Sequence, residues 1–219
     1  RQKIQVQSNG GLIVAIISDG TTIADAGAFS VSLGSLVHIK TLTASSSATL
    51  TFVGGASSVV LDNTFPIYKF EFIGLHPVEA SGNLSVAFRD GSTAYDAPMT
   101  TTYLKTRHTA SGTELAAQTY DTGNDLANAT GFTILNESTG NDDTKNISGF
   151  LYIFNPSSTT FTKTIMADVH SIATDRSISD HITTSGYINV TAAVDAVQFK
   201  FHNGAVQTGK IKLYGIKDS

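Results

Sequence analysis

The chain has 219 residues, a formal net charge of −4 and no cysteine, with 41% hydrophobic and only 15% charged residues. That length suits one large β domain with a real core, and the missing cysteines exclude a thiol nucleophile, a cysteine zinc site and a disulfide framework. Lys and Arg are scattered and form no phosphate-neutralising stripe, so nucleic acid is not an expected partner; no apolar run reaches the roughly 18 residues that insert across a bilayer.

Residues 1–33 differ in composition from the rest. They mix short apolar runs, of which Gly11 to Ile17 is the longest, with the turns Ser8-Asn9-Gly10-Gly11 and Ser18-Asp19-Gly20-Thr21, and carry no large aromatic before Phe29. Two readings stay open: an N-terminal attachment segment ordered by another subunit, or the first hairpin of the fold. Arg1 in place of methionine, without a basic leader or cleavage site after it, is expected of a processed or shortened chain.

From residue 34 to 219 the dominant period is two. Tyr68-Lys69-Phe70-Glu71-Phe72 puts aromatics on one face and charges on the other, as does Val197-Gln198-Phe199-Lys200-Phe201. Leu84 to Phe88 and Lys210 to Tyr214 alternate similarly and read as half-buried strands. Phe150-Leu151-Tyr152-Ile153-Phe154 is apolar on both faces, the mark of a central or covered strand. Turn residues punctuate the runs at Gly54-Gly55, Ser81-Gly82-Asn83, Asp90-Gly91-Ser92, Asn155-Pro156 and His202-Asn203-Gly204. Only Thr113 to Gln118 and Asp125 to Ala129 have the composition for a helical turn. The pattern predicts an all-β fold, an antiparallel two-sheet β-sandwich of jelly-roll type over 34–219.

Candidates for chemistry are few. Asn136 to Asn146 is rich in oxygen ligands around Gly140, but it lacks the spacing of a calcium loop and reads as an exposed, solvated turn. Asp168 and His170 share a face of a predicted strand, with Asp175, Asp180 and His181 following in a short polar connection. Carboxylate beside imidazole suits metal binding or acid–base work, yet no nucleophile elbow or His-Glu-x-x-His accompanies them. His38, His76, His108 and His202 stand singly and read as hydrogen-bonding residues. The four glutamates, Glu71, Glu79, Glu114 and Glu137, form no obvious glycosidase pair. Tyr95, Tyr103 and Tyr120 fall in loop-like surroundings and are the candidate platforms for a sugar. Asn-x-Ser/Thr triplets, as at Asn83 and Asn189, are chance matches in so Asn- and Thr-rich a chain. No catalytic, metal or cofactor-binding residue is assigned, no cofactor is expected, and the chain does not read as an enzyme.

Three segments carry a resemblance. Ala193 to Phe201 followed by Gly209 to Ile216, the stretch Phe154 to Lys163, and Tyr68 to Pro77 are similar to virion structural proteins of marine tailed bacteriophages, over about Leu36 to Ile216. The resemblance implies a capsid decoration, head-fibre or tail-fibre protein located in the virion, self-associating as a homotrimer and docking on the capsid or another virion protein. Its alternative implication is a carbohydrate-binding, receptor-recognising module on a fibre tip, with a host surface glycan as partner. Membrane insertion is not expected. A surface built from Ser, Thr, Asn and Gly fits either role, because hydroxyls and amides are desolvated against a partner more cheaply than charges.

Overall fold

The computed structural model describes residues 35–112, 118–173 and 178–218, together with the backbones of three short earlier strands. The chain divides into two compact units, residues 1–35 and Leu36–Asp218. In the first, β1 (Ile16–Ser18), β2 (Thr21–Asp25) and β3 (Ala28–Phe29) form a small antiparallel sheet in that order.

The second unit is built from β4 (Leu36–Thr43), β5 (Leu50–Val53), β6 (Ile67–Pro77), β7 (Leu84–Arg89), β8 (Met99–Thr109), β9 (Thr119–Tyr120), β10 (Thr133–Ile134), β11 (Ile147–Phe154), β12 (Lys163–Ile172), β13 (Ile178–Ile188), β14 (Ala196–Phe201) and β15 (Val206–Ile216). They form two antiparallel sheets, one of eight strands in the order β4-β15-β6-β11-β12-β13-β8-β9 and one of four in the order β10-β7-β14-β5. The antiparallel two-sheet sandwich predicted from the period-two pattern is therefore present.

Alternation explains the core. Tyr68, Phe70 and Phe72 of β6 point inward and are buried, while Lys69 and Glu71 point out. Across the core, Phe52 of β5 meets Phe70 and Phe199 of β14 meets Phe70 and Phe72 with ring centroids 5.2 to 5.3 Å apart, mostly edge to face, the arrangement that ring quadrupoles favour. The predicted central strand β11 does lie inside the larger sheet, with Leu151 and Ile153 buried beneath it. Where β15 slips register against β6, Gly209 takes φ +107°, and a Cβ there would sit 2.5 Å from the Gly74 carbonyl oxygen, so the bulge requires glycine.

Two expectations change. β7 is buried along its whole apolar length rather than half-buried: Ser85 and Ala87 are small, and the Ser85 hydroxyl donates to the Lys200 carbonyl at 3.1 Å. Asp125 to Ala129 forms no helical turn, because its amides are engaged by β8. Leu126 N–H donates to Thr101 Oγ1, Asn128 N–H to Thr100 Oγ1, and Ala129 N–H to the Met99 carbonyl, all at 3.0 Å. Most of Thr113 to Gln118 lies outside the described residues.

Candidate functional site

The outer face of the larger sheet is where apolar side chains meet solvent. Alternation on β11 sends Leu151 and Ile153 inward and therefore sends Phe150, Tyr152 and Phe154 outward in a row, with centroids 5.2 and 6.3 Å apart. The antiparallel register extends this row sideways. Phe154 lies opposite Ile67, Ile67 opposite Ile216, and Ile216 opposite Leu36, while Tyr152 lies opposite Met166. Leu36, Met166 and Tyr187 are 48%, 49% and 40% exposed. Along the aromatic row, from Ile216 and Ile67 on one side to Met166 on the other, lies a shallow, almost wholly apolar groove of about 430 Å³, with Asp168 and Thr183 as its polar lining. The Lys69 ammonium sits 5.4 Å from the Phe150 centroid and bonds Glu71 at 3.2 Å, so its charge stays paired beside the ring.

Next to the groove lies the polar group anticipated from sequence. Asp168 and His170 do share the outer face of β12, and the cross-strand register sets His181 opposite His170. His181 Nε2 bonds Asp168 Oδ2 at 2.9 Å, and His170 Nε2 pairs with Ser179 Oγ at 2.9 Å. His181 and Asp168 side chains are about half exposed, at 51% and 42%, so neither is desolvated in the way that tunes a catalytic pair. Each histidine takes a different partner, and no relay runs from hydroxyl through imidazole to carboxylate. Asp180 is separated from this group. It belongs to strand β13, not to a loop, and it points to the opposite face; Asp175 lies outside the described residues. Among the described residues, no three His, Asp or Glu side chains converge as a metal site.

On the inner face, β8 and β13 extend past the smaller sheet, and the chain between β9 and β11 covers them. Beneath it is a charge network that sequence reading missed. Arg107 bonds the fully buried Asp180 carboxylate through Nε and Nη2 at 2.8 and 3.0 Å. Glu137 bonds Lys105 and lies 3.6 Å from Arg107, and Lys105 reaches Asp121 at 3.5 Å. Burial raises the Asp180 carboxyl above its ordinary value, opposed by the Arg107 bonds. Burial also works against the Arg107 charge, but the Asp180 bonds together with Glu137 outweigh it and hold the guanidinium above its usual value. The signal available in sequence was Lys105 and Arg107 two apart in a Thr-rich strand.

Tyr103 is corrected by the same finding. It is not a loop residue but a fully buried member of β8, and its hydroxyl has no hydrogen-bond partner among the described residues. Burial first, and then the nearby Glu137, push its ionisation well above the ordinary value. Tyr120 is exposed on β9 and donates to Asp125 at 2.6 Å; Tyr95 is half-buried in the loop after β7. The loop expected to be solvated is exposed only in its second half. Asn136 and Thr139 are fully buried because Asn136 Oδ1 accepts the Leu84 N–H at 2.6 Å and Thr139 bridges Gly82 and Ala173. His76 is buried with Nδ1 against the Lys145 carbonyl at 2.6 Å, whereas His38, His108 and His202 are exposed.

No helix among the described residues is long and apolar enough to cross a membrane. No family model, curated protein or solved structure matches the chain.

Proposed function

We propose that this chain is a non-enzymatic structural component of a tailed-phage virion, which associates with copies of itself and docks on the capsid surface or another virion element as a decoration or fibre protein. The observation that carries the reading is the apolar outer face of the larger sheet, with Met166 half exposed beside the Phe150, Tyr152 and Phe154 row. A contiguous apolar face on a folded domain marks a contact surface, and the sparse charge of the chain leaves little to desolvate around it.

The fold reading behind this proposal is a jelly roll, and strand order supports it. Numbering β4, β5, β6, β7, β10, β11, β14 and β15 from one to eight, the larger sheet holds 1-8-3-6 and the smaller 5-4-7-2. That is the order produced when a long antiparallel hairpin of eight strands wraps on itself as two Greek keys. The remaining strands β8, β9, β12 and β13 add to the larger sheet beyond strand six.

The sugar-binding alternative has less support. The groove offers a sugar's hydroxyls few polar partners, Tyr103 is inside, and the Tyr120 hydroxyl is already engaged.

Peptide mass spectrometry of purified particles, with antibody labelling in electron micrographs, tests the role. The chain is expected at a fixed copy number on one virion element. Particles that lack it, while the producing cells contain it, would exclude the role.

A further inference from the structure

We infer that the outer face of the larger sheet pairs with the same face of a second copy about a two-fold axis running along the strands between β6 and β11; this rests on the self-association proposed above and names its surface.

The face is self-complementary about that line. A two-fold axis there exchanges β6 with β11, β15 with β12 and β4 with β13, and leaves the height along the strands unchanged. The register fixes what meets. Ile67 and Phe154 lie at one height, so Ile67 meets Phe154 of the second copy, and at the same level Leu36 meets Tyr187 of the second copy. One step along, Tyr152, Lys69, Tyr214 and Met166 share a height, which sets Tyr214 against Met166 of the second copy, a sulfur–aromatic contact. At the third height stand Phe150, Glu71, Lys212 and Asp168, so Lys212 meets Asp168 of the second copy. Ile67–Phe154, Leu36–Tyr187 and Tyr214–Met166 are apolar contacts and Lys212–Asp168 joins unlike charges, while Lys69 against Tyr152 and Ile216 against Thr164 are mixed ones; each occurs twice, as an isologous interface requires. Glu71 faces Phe150 of the second copy, a neutral pairing in which Glu71 keeps Lys69 at 3.2 Å and the Tyr214 hydroxyl at 3.4 Å.

The size also fits. Six strands at about 4.8 Å spacing and about 3.3 Å rise per residue give a face of roughly 24 by 30 Å, or about 700 Å² per copy, which places the pair in the standard class of roughly 1,200–2,000 Å² buried in total. Three of the four sandwich edges offer less: β9, β10 and β5 have two, two and four residues, too short to template extended pairing, and β4, with eight, is the one longer edge.

Sedimentation equilibrium of the full chain tests the pairing, with Asp168→Lys, Lys212→Asp, the double swap and Met166→Glu as variants, and with thermal melts to confirm folding. The parent is expected at twice its 23.0 kDa mass. Met166→Glu and each charge reversal should weaken association at least tenfold, and the double swap should restore most of it. A parent that stays monomeric at millimolar concentration removes self-association altogether. A self-associating parent whose variants all associate equally leaves that reading standing and overturns this face. Loss in both charge reversals without rescue in the double swap, or a trimeric mass, overturns the two-fold register.

Discussion

Arg107 holds the Asp180 carboxylate with two near-parallel hydrogen bonds, at 2.8 and 3.0 Å, although Asp180 is completely buried and Arg107 is about a quarter exposed. The burden is unequal, because only one partner retains water. Removing Arg107 leaves a buried charge uncompensated, and Arg107→Ala should lower unfolding free energy by about 3–5 kcal/mol. Asp180→Ala should lose less, since Arg107 keeps solvent and Glu137 at 3.6 Å. Urea unfolding measures both, and the double variant should lose less than the sum. The Arg107→Ala deficit should shrink as pH falls. A carboxyl raised above its unfolded 3.8 favours the folded state protonated, so its penalty vanishes below that range and grows as pH rises through the folded value.

Tyr103 sits beside this network with its hydroxyl buried and, among the described residues, unpartnered. Tyr103→Phe removes the polar atom and keeps the ring, so it should be neutral or stabilising by up to about 1 kcal/mol in urea unfolding. Tyr103→Ala should instead cost about 3–5 kcal/mol by emptying its place in the packing. A loss of ligand binding in the alanine variant would thus report unfolding, and Tyr120 is the tyrosine to change when a surface platform is sought.

How far the sequence could be read depends on what each residue's neighbours are. Tyr68 to Phe72 and Val197 to Phe201 were legible because aromatics and charges alternate cleanly, and their burial follows the same alternation. The turns at Gly54-Gly55, Asn155-Pro156 and Asn203-Gly204 were legible because Gly, Asn and Pro carry their own backbone preferences. β8 and β13 were less so, since Thr101, Lys105 and Arg107 on β8, and Asp180 and Thr184 on β13, interrupt the inward rows of Met99 and Tyr103 and of Ile178, Ile182 and Ile188. The polar residues on their inward side are satisfied by a covering loop, through Thr101 to Thr133 at 3.2 Å and Thr184 to the Ile134 carbonyl at 3.3 Å. Asp168 and His170 were rightly placed on one face, but the fidelity of His181 to Asp168 required the β12–β13 register, which no local pattern encodes. The apolar outer face was legible as a doubly apolar strand at 150–154, while its sideways extension through Ile67, Ile216 and Leu36 depended on strand order.

Lys163 opens β12 with its side chain fully buried, and its ammonium donates to three consecutive carbonyls, Val190 at 3.1 Å, Thr191 at 2.9 Å, and Ala192. Three donors on one nitrogen match three acceptors that a turning backbone cannot pair internally. Lys163→Met fits the stem but leaves all three carbonyls without a donor, and about 2–4 kcal/mol of stability should be lost. Hydrogen exchange gives a local check: the Val194 amide, bonded to the Pro156 carbonyl at 2.8 Å, should lose protection in the variant more than the β6 amides do. Equal loss across both regions would mean that Lys163 supports the whole sandwich and not this turn.

Asp121 offers the opposite pH behaviour to Asp180. Its carboxyl is held below the ordinary 3.8, first by the Gly123 N–H at 2.9 Å and then by the Lys105 charge. A carboxyl depressed on folding stabilises the native state above its unfolded pKa, and that contribution disappears as pH falls through the lower folded value. Asp121→Asn removes the charge but can still accept the turn's N–H, so the variant should be less stable than the parent at pH 6, and the gap should close below pH of about 3.8, the unfolded value. Thermal melts of both proteins from pH 6 to pH 2 read that gap directly. A gap that stays constant across the range would assign the effect to side-chain packing, and one that widens in acid would reverse the sign of the coupling between Asp121 and Lys105.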